Sequence, residues 1–136
     1  MSSRSYVTQK DRTPSSSYVV LVCGSREWKD AAPIKTRLSL LPRGSVVIHG
    51  AARGADQLAG TIAAGLGFEV REFPADWKNG PWTRNGKNLA GINRNTLMLD
   101  QRPDLVLAYQ LNGSTGTQHT IDHARKRGIE TEVYTS

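Results

Sequence analysis

The stretch Leu105-Val106-Leu107-Ala108-Tyr109-Gln110-Leu111-Asn112-Gly113-Ser114-Thr115-Gly116-Thr117-Gln118 decides how this chain folds. Its first five residues form an apolar run of the kind a strand buried on both faces requires. Gly113 and Gly116 then let the backbone turn and approach a ligand closely, with Ser114, Thr115 and Thr117 lining the turn. A helix follows, predicted from Thr117 to Arg127. Its first N–H groups lack intrahelical partners and suit an anion. A buried strand, a glycine-rich turn and a helix start make a phosphate cradle in an open α/β sheet.

Two other strand ends repeat the pattern: Val22-Cys23-Gly24-Ser25-Arg26, and Ile48-His49-Gly50-Ala51-Ala52-Arg53-Gly54. Around them the chain alternates strand and helix. Strands are expected at Tyr18–Cys23, Val46–His49, Phe68–Phe73, Leu105–Tyr109 and Glu132–Tyr134. Phe68/Val70 alternate with charged positions, as at a sheet edge. Helices are expected at Ala31–Leu41, Asp56–Gly67, Ile92–Gln101 and Thr117–Arg127, with Pro33 in a first turn and Gly128 at a C-terminal cap. This alternation predicts an α/β, three-layer Rossmann-like domain, its five-stranded and mainly parallel sheet ordered 3-2-1-4-5. The order reverses between the first and fourth strands, so a crevice should open between Gly24 and Gly113.

Residues 1–17 are Ser/Thr-rich without apolar periodicity and read as a flexible basic tail; residues 18–136 read as one domain. The net charge is +6, of which Arg4, Lys10 and Arg12 against Asp11 place +2 in the tail. That balance suits phosphorylated or polyanionic partners. With 38% hydrophobic and 22% charged residues the composition is that of a soluble globular domain, and no apolar run reaches membrane-spanning length. The single cysteine, Cys23, falls inside a strand, so no internal disulfide forms and a cytoplasmic setting fits. No metal site is expected: His119 and His123 are four apart on one helix face, but no acidic or cysteine ligand accompanies them.

The predicted carboxyl ends of the strands gather Gly24, Ser25, Arg26 and Trp28 from the first, and Gly50, Ala51, Arg53, Gly54 and Asp56 from the second. The fourth supplies Gly113, Ser114, Thr115, Gly116 and Thr117, and Arg94 and Asn95 can reach the same crevice from the third helix. Arginines for phosphate, glycines for close approach and an aromatic for a base are what a nucleotide-type ligand needs. Some of these residues have two readings. Arg94 contacts phosphate or pairs with Asp100 or Asp104. Trp28 stacks a base or covers the core edge. Asp56 is a helix N-terminal carboxylate, or it meets a ribose hydroxyl or a reacting bond. Trp77 and Trp82, in the long irregular segment from Pro74 to Ala90, form a lid or a subunit contact.

Five motifs together resemble the SLOG superfamily: Gly24-Ser25-Arg26-Glu27-Trp28, His49-Gly50-Ala51-Ala52-Arg53-Gly54-Ala55-Asp56, Pro74-Ala75-Asp76-Trp77, Ala90-Gly91-Ile92-Asn93-Arg94-Asn95 and Gly113-Ser114-Thr115-Gly116-Thr117. Within that superfamily of DprA-like and LOG-like proteins, the pattern is most similar to the single-domain YspA-type branch. The resemblance implies a Rossmann-like fold, a nucleotide-derived ligand such as an ADP-ribose or cyclic-nucleotide signal, no required cofactor, and a homo-oligomer. It also implies roles as sensor or sequestering protein, including in phage and bacterial defence. LOG phosphoribohydrolases end the glycine-rich motif in a glutamate, and the matching position here is Thr120. The resemblance therefore implies binding first, phosphoribohydrolase activity with Asp56 as candidate acid second, and DprA-like single-stranded nucleic-acid binding third.

Overall fold

The computed structural model describes residues 17–135. Nine elements alternate along it: β1 (Val19–Gly24), α1 (Ala31–Leu38), β2 (Val46–His49), α2 (Ala55–Gly65), β3 (Glu69–Glu72), α3 (Ala90–Asp100), β4 (Leu105–Gln110), α4 (Thr115–Lys126) and β5 (Glu130–Thr135). The strands form one sheet of order β3-β2-β1-β4-β5, and every pairing is parallel. The expected Rossmann-like α/β order 3-2-1-4-5 is the observed one. Residues 1–16 of the proposed basic tail lie outside the described residues.

Each central strand is sealed on both faces because its side chains alternate between two cores. Val20 and Val22 face Ile34 and Leu38 of α1 and Ala59 and Ala63 of α2. Leu21 and Cys23 face Met98 and Leu99 of α3 and Ile121 and Ala124 of α4. The sheet is thus covered by α1 and α2 on one face and by α3 and α4 on the other. β3 has the exposed charged positions of an edge strand at Glu69, Arg71 and Glu72. At the other edge, Glu132 of β5 accepts two hydrogen bonds from Arg37 of α1, at 2.8 and 3.1 Å, and Tyr134 stacks on Tyr109 at 5.0 Å.

Several boundaries differ from the sequence reading, each for a local reason. α1 ends at Leu38 instead of Leu41, because Ser39, Leu40 and Leu41 turn back onto carbonyls three and four residues earlier. α4 starts two residues early, so Thr115, Gly116 and Thr117 form its first turn and Ser114 is its N-cap. α3 starts at Ala90, where Asn88 Oδ1 accepts the Ala90 N–H at 2.9 Å.

Candidate functional site

The order of the sheet reverses at β1, and a crevice of about 630 Å³ opens there at the carboxyl ends of the strands. Its wall brings together Gly24, Ser25 and Arg26 after β1, Asp56 of α2, Arg94 and Asn95 of α3, and Ser114, Thr115, Gly116 and Thr117 at the start of α4. The three glycine-rich turns meet around this crevice, but they are built differently.

In the turn after β1, Gly24 is a packing glycine. A Cβ there would collide with the Tyr109 carbonyl oxygen and the Ala55 side chain. Ser25 ties this turn to the one after β4: its Oγ accepts the Leu111 N–H at 2.7 Å and its backbone N–H donates to the Tyr109 carbonyl at 2.9 Å. Gly54 is also a close-approach position, held at φ +81° against the carbonyls of Ser25 and Arg26.

The turn after β2 is closed on itself. Asp56 Oδ2 accepts the Gly50 N–H at 3.0 Å and the Ala52 N–H at 3.4 Å, and His49 Nδ1 accepts the Ala51 N–H at 3.0 Å. The N–H groups expected to hold an anion are therefore occupied by this protein's own side chains. His49, buried, keeps its ring neutral, because burial pushes its pKa down against the weaker pull of Glu72.

The turn after β4 has no carboxylate or imidazole of the described residues folded back onto its N–H groups. Asn112 and Gly113 take left-handed conformations, φ +51° and +61°, and turn the chain into α4. The N-cap Ser114 makes no side-chain bond to a helix N–H; its hydroxyl donates to Thr117 Oγ1 at 2.7 Å. The N–H groups of Thr115, Gly116 and Thr117, first in the helix, have no acceptor among the described residues. No atom lies within 4 Å of where a Gly116 Cβ would stand, so the backbone itself borders the crevice. From behind, Asn95 donates to the Gly116 carbonyl at 3.3 Å while accepting from Arg94 Nε at 2.9 Å, which fixes the turn to α3.

Arg94 pairs with neither Asp100 nor Asp104. It reaches across to donate to the Gly50 and Phe73 carbonyls, while Asp100 accepts from Arg127 and Asp104 from the Val19 N–H. Gly50 leaves room for it, since a Cβ there would meet the guanidinium. Burial lowers the Arg94 pKa and the nearby Asp56 carboxylate raises it. Asp56 shows the complementary effect: burial pushes its pKa up to about 6, opposed by Arg94 and by the Ala52 and Gly50 N–H groups. Cys23, at the crevice floor, is pushed far up by burial and stays a thiol.

Several residues expected at the crevice stand elsewhere. Trp28 does not face the crevice. It is 3% exposed, packs edge-on against Tyr109 at 5.4 Å and donates to the Asp30 carbonyl, so its ring belongs to the core, the second of its two readings. Arg53 does not enter the crevice either; it pairs with Glu27 at 2.9 Å and, with Gly50 and Ala51, lines a separate cleft. Gly54 and Gly113 line neither hollow; they shape the turns.

The aromatic that does line the crevice is Trp77, 46% exposed, whose ring lies over Gly91 and under the Arg26 guanidinium, 5.4 Å from its centroid. Sequence reasoning also missed Lys87, Asn88, Ile92, Met98 and His119 as lining residues. Helical spacing contained the signal for three of these: Ile92, Asn95 and Met98 recur every third position on α3, and His119 follows Gly116 by three on α4. His119 stacks on His123 with centroids 4.1 Å apart, and burial, followed by the His123 charge, lowers its pKa. Thr120, at the position of the LOG glutamate, also lines the crevice and donates to the Gly116 carbonyl at 3.3 Å. Among the described residues no helix is long and apolar enough to cross a membrane, and no group of three His, Cys, Asp or Glu residues could hold a metal ion.

Comparisons with known proteins agree with this architecture. Residues 18–80 match the model of the YspA, cpYpsA-related SLOG family. The chain is 39% identical over 114 residues to the gene 61 protein of Mycobacterium phage D29, covering 81% of this chain and 90% of that one. Its fold is similar to DNA processing protein A (DprA) from Streptococcus pneumoniae, with TM-score 0.56 and 14% identity over 87% of this chain; the match spans 59% of that structure's chain. It is also similar to the structural-genomics protein TM1055, with TM-score 0.58 and 18% identity over 83% of this chain and 71% of that one. At such identities the two structures speak to the fold alone. The family model and the phage relative go further: the chain belongs to the YspA and cpYpsA-related family of the SLOG superfamily.

Proposed function

We propose that this protein binds a nucleotide-derived small molecule, of ADP-ribose or cyclic-nucleotide type, in the crevice between β1 and β4, and acts as a sensor or sequestering protein. The observation that carries this reading is the asymmetry of the three turns. The turn after β2 has the Asp56 carboxylate and the His49 imidazole folded onto its N–H groups and Ser25 ties the turn after β1 to β4, while the Thr115, Gly116 and Thr117 N–H groups, at a helix N-terminus lining the crevice, have no acceptor among the described residues. Such a group of donors, with the helix dipole behind it, is complementary to a phosphate. The rest of the crevice suits a nucleoside: Trp77 and Ile92 offer apolar faces, and Asp56 and Asn95 offer polar groups to sugar hydroxyls. The relative from a mycobacteriophage supports placing such a binder between phage and host.

Calorimetric titration with AMP, ADP-ribose and cyclic mononucleotides tests the reading, with Gly116→Val as the control. A valine side chain would fill the space in front of the free N–H groups without touching the core. Binding that is present in the native protein and lost in this variant is the expected result. A folded native protein that binds none of the panel would sink the proposal.

A second reading, a phosphoribohydrolase, is favoured by one feature. Asp56 is a crevice-lining carboxyl whose pKa of about 6 lets it exchange protons near neutrality. Release of adenine from AMP, abolished in Asp56→Asn, is its signature. Thr120 weighs against it, because a hydroxyl cannot supply the charge that a developing oxocarbenium ion needs.

A further inference from the structure

Beside the main crevice lies a second cleft of about 360 Å³, lined by Arg26, Arg53 and Arg94 together with Gly50, Ala51, Pro74 and Trp77. Arg26, Trp77 and Arg94 line both hollows, so the stacked Arg26 and Trp77 side chains form the partition between them. Among the described residues, no acidic side chain lines the second cleft. From these juxtapositions we infer that the cleft is a second anion site, and that the ligand is a nucleotide carrying two phosphates held apart by at least one sugar. One phosphate sits on the α4 N-terminus and the other among the three arginines. This rests on the nucleotide reading of the main crevice and, within it, selects nucleoside bisphosphates and linear or cyclic dinucleotides over ADP-ribose, whose two phosphates are adjacent, and over cyclic mononucleotides, which have one.

The charges in the cleft are unequally used. Arg26 makes no ion pair among the described residues, and its guanidinium lies over the Trp77 ring. Arg53 is held by Glu27, but both side chains are about two-thirds exposed, 68% and 69%. Such a pair is weak and exchanges readily for a phosphate. Arg94 donates to the Gly50 and Phe73 carbonyls and is balanced in part by Asp56. The cleft wall includes Ala51 at φ +61°, a left-handed conformation that a residue with a Cβ rarely adopts, held there by the bond from its N–H to His49. Backbone strain of this kind concentrates at functional sites, where the surrounding structure holds it in place.

The partition explains why two hollows suit one ligand. Trp77 is fixed by its ring over Gly91 and by the bond from Asn88 Nδ2 to its carbonyl at 2.6 Å. A base or sugar lying along the exposed Trp77 ring would place its two ends on opposite sides of the partition, each against donors. A nucleoside monophosphate has a phosphate for only one side.

The test is calorimetric titration of the native protein and of Arg53→Ala with three probes: AMP, adenosine 3′,5′-bisphosphate and the linear dinucleotide pApA. In the native protein the two-phosphate probes should bind about tenfold tighter than AMP, the return expected of a charge-assisted contact. In Arg53→Ala that ratio should fall towards one. Coincident thermal melts will show that the variant is folded, as expected for so exposed a side chain. If AMP binds but the native ratio is already near one, the second site is refuted and the crevice reading stands. Should no probe bind, both fall together. Affinity that keeps rising for single-stranded oligonucleotides beyond two nucleotides would overturn the proposal in favour of a nucleic-acid track.

Discussion

Asp56→Asn should stabilise this protein at neutral pH and leave it unchanged in acid. Asp56 is 4% exposed, and burial raises its pKa from 3.8 to about 6 in the folded protein. The folded state therefore holds this proton more tightly than the unfolded chain does. Between those two pH values the folded state binds more protons, so stability falls as pH rises. The stabilising contribution is complete below about pH 4 and lost above about pH 6. A shift of this size corresponds to about 3 kcal/mol, at 1.36 kcal/mol for each pH unit. Asparagine keeps an oxygen to accept the Gly50 and Ala52 N–H groups and carries no charge to desolvate.

Urea unfolding of both proteins between pH 3.5 and 8 reads this directly. The two curves should coincide at pH 3.5 and diverge through pH 4–6, with the asparagine variant about 2–3 kcal/mol more stable at pH 8. A constant gap across the range, or a variant weaker at pH 8 than at pH 3.5, would refute the account. It would mean that the charge on Asp56, through Arg94, supports the fold instead of burdening it.

Other perturbations separate packing from binding. Gly116→Ala puts its methyl group into open space in a helix, so it should raise stability by about 0.5–1 kcal/mol and weaken nucleotide binding, read by melting and titration on the same sample. Gly24→Ala, whose Cβ meets the Tyr109 carbonyl and Ala55, should cost about 1–3 kcal/mol in urea unfolding. Trp28→Ala should cost about 3–5 kcal/mol as a core truncation, whereas Trp77→Ala should melt near the native temperature and lose the fluorescence change on ligand addition.

The strand order was legible in the sequence because each central strand is a short apolar run between turns, and parallel pairing forces both of its faces into a core. Runs such as Val20 to Cys23 and Leu105 to Tyr109 have no other use in a domain this size. Side-chain direction was not legible. Trp28 and Trp77 both follow a glycine-rich or proline-marked strand end; the sequence offers Trp28 as a base stacker or a cover of the core edge, and Trp77 as a lid or a subunit contact. What separates them is distance from the next helix. Trp28 stands two residues before the Asp30 cap of α1, so its ring is carried over the sheet onto Tyr109. Trp77 stands in a segment of irregular backbone running to α3, where Gly91 and the Arg26 guanidinium meet its ring and no helix follows closely enough to carry it onto the sheet.

The three glycine-rich turns carry the same lesson to the site. Sequence alone makes them equivalent, since glycines at a strand end serve a ligand or a neighbouring backbone equally well. The difference lies in which residue follows each turn. After β2 it is Asp56, whose carboxylate folds back and takes up the Gly50 and Ala52 N–H groups as an anion would. After β1 it is a segment that Ser25 fastens to β4, leaving Gly24 and Gly54 to let the turns close on each other. After β4 come Ser114, whose hydroxyl bonds to Thr117 Oγ1 instead of a helix N–H, and Gly116, which has no side chain to offer. The fold thus uses two turns to build a rigid rim and leaves the third without an internal anion. An Asp or Glu placed at position 114 would supply that anion from within the chain, and it should abolish nucleotide binding while raising the melting temperature.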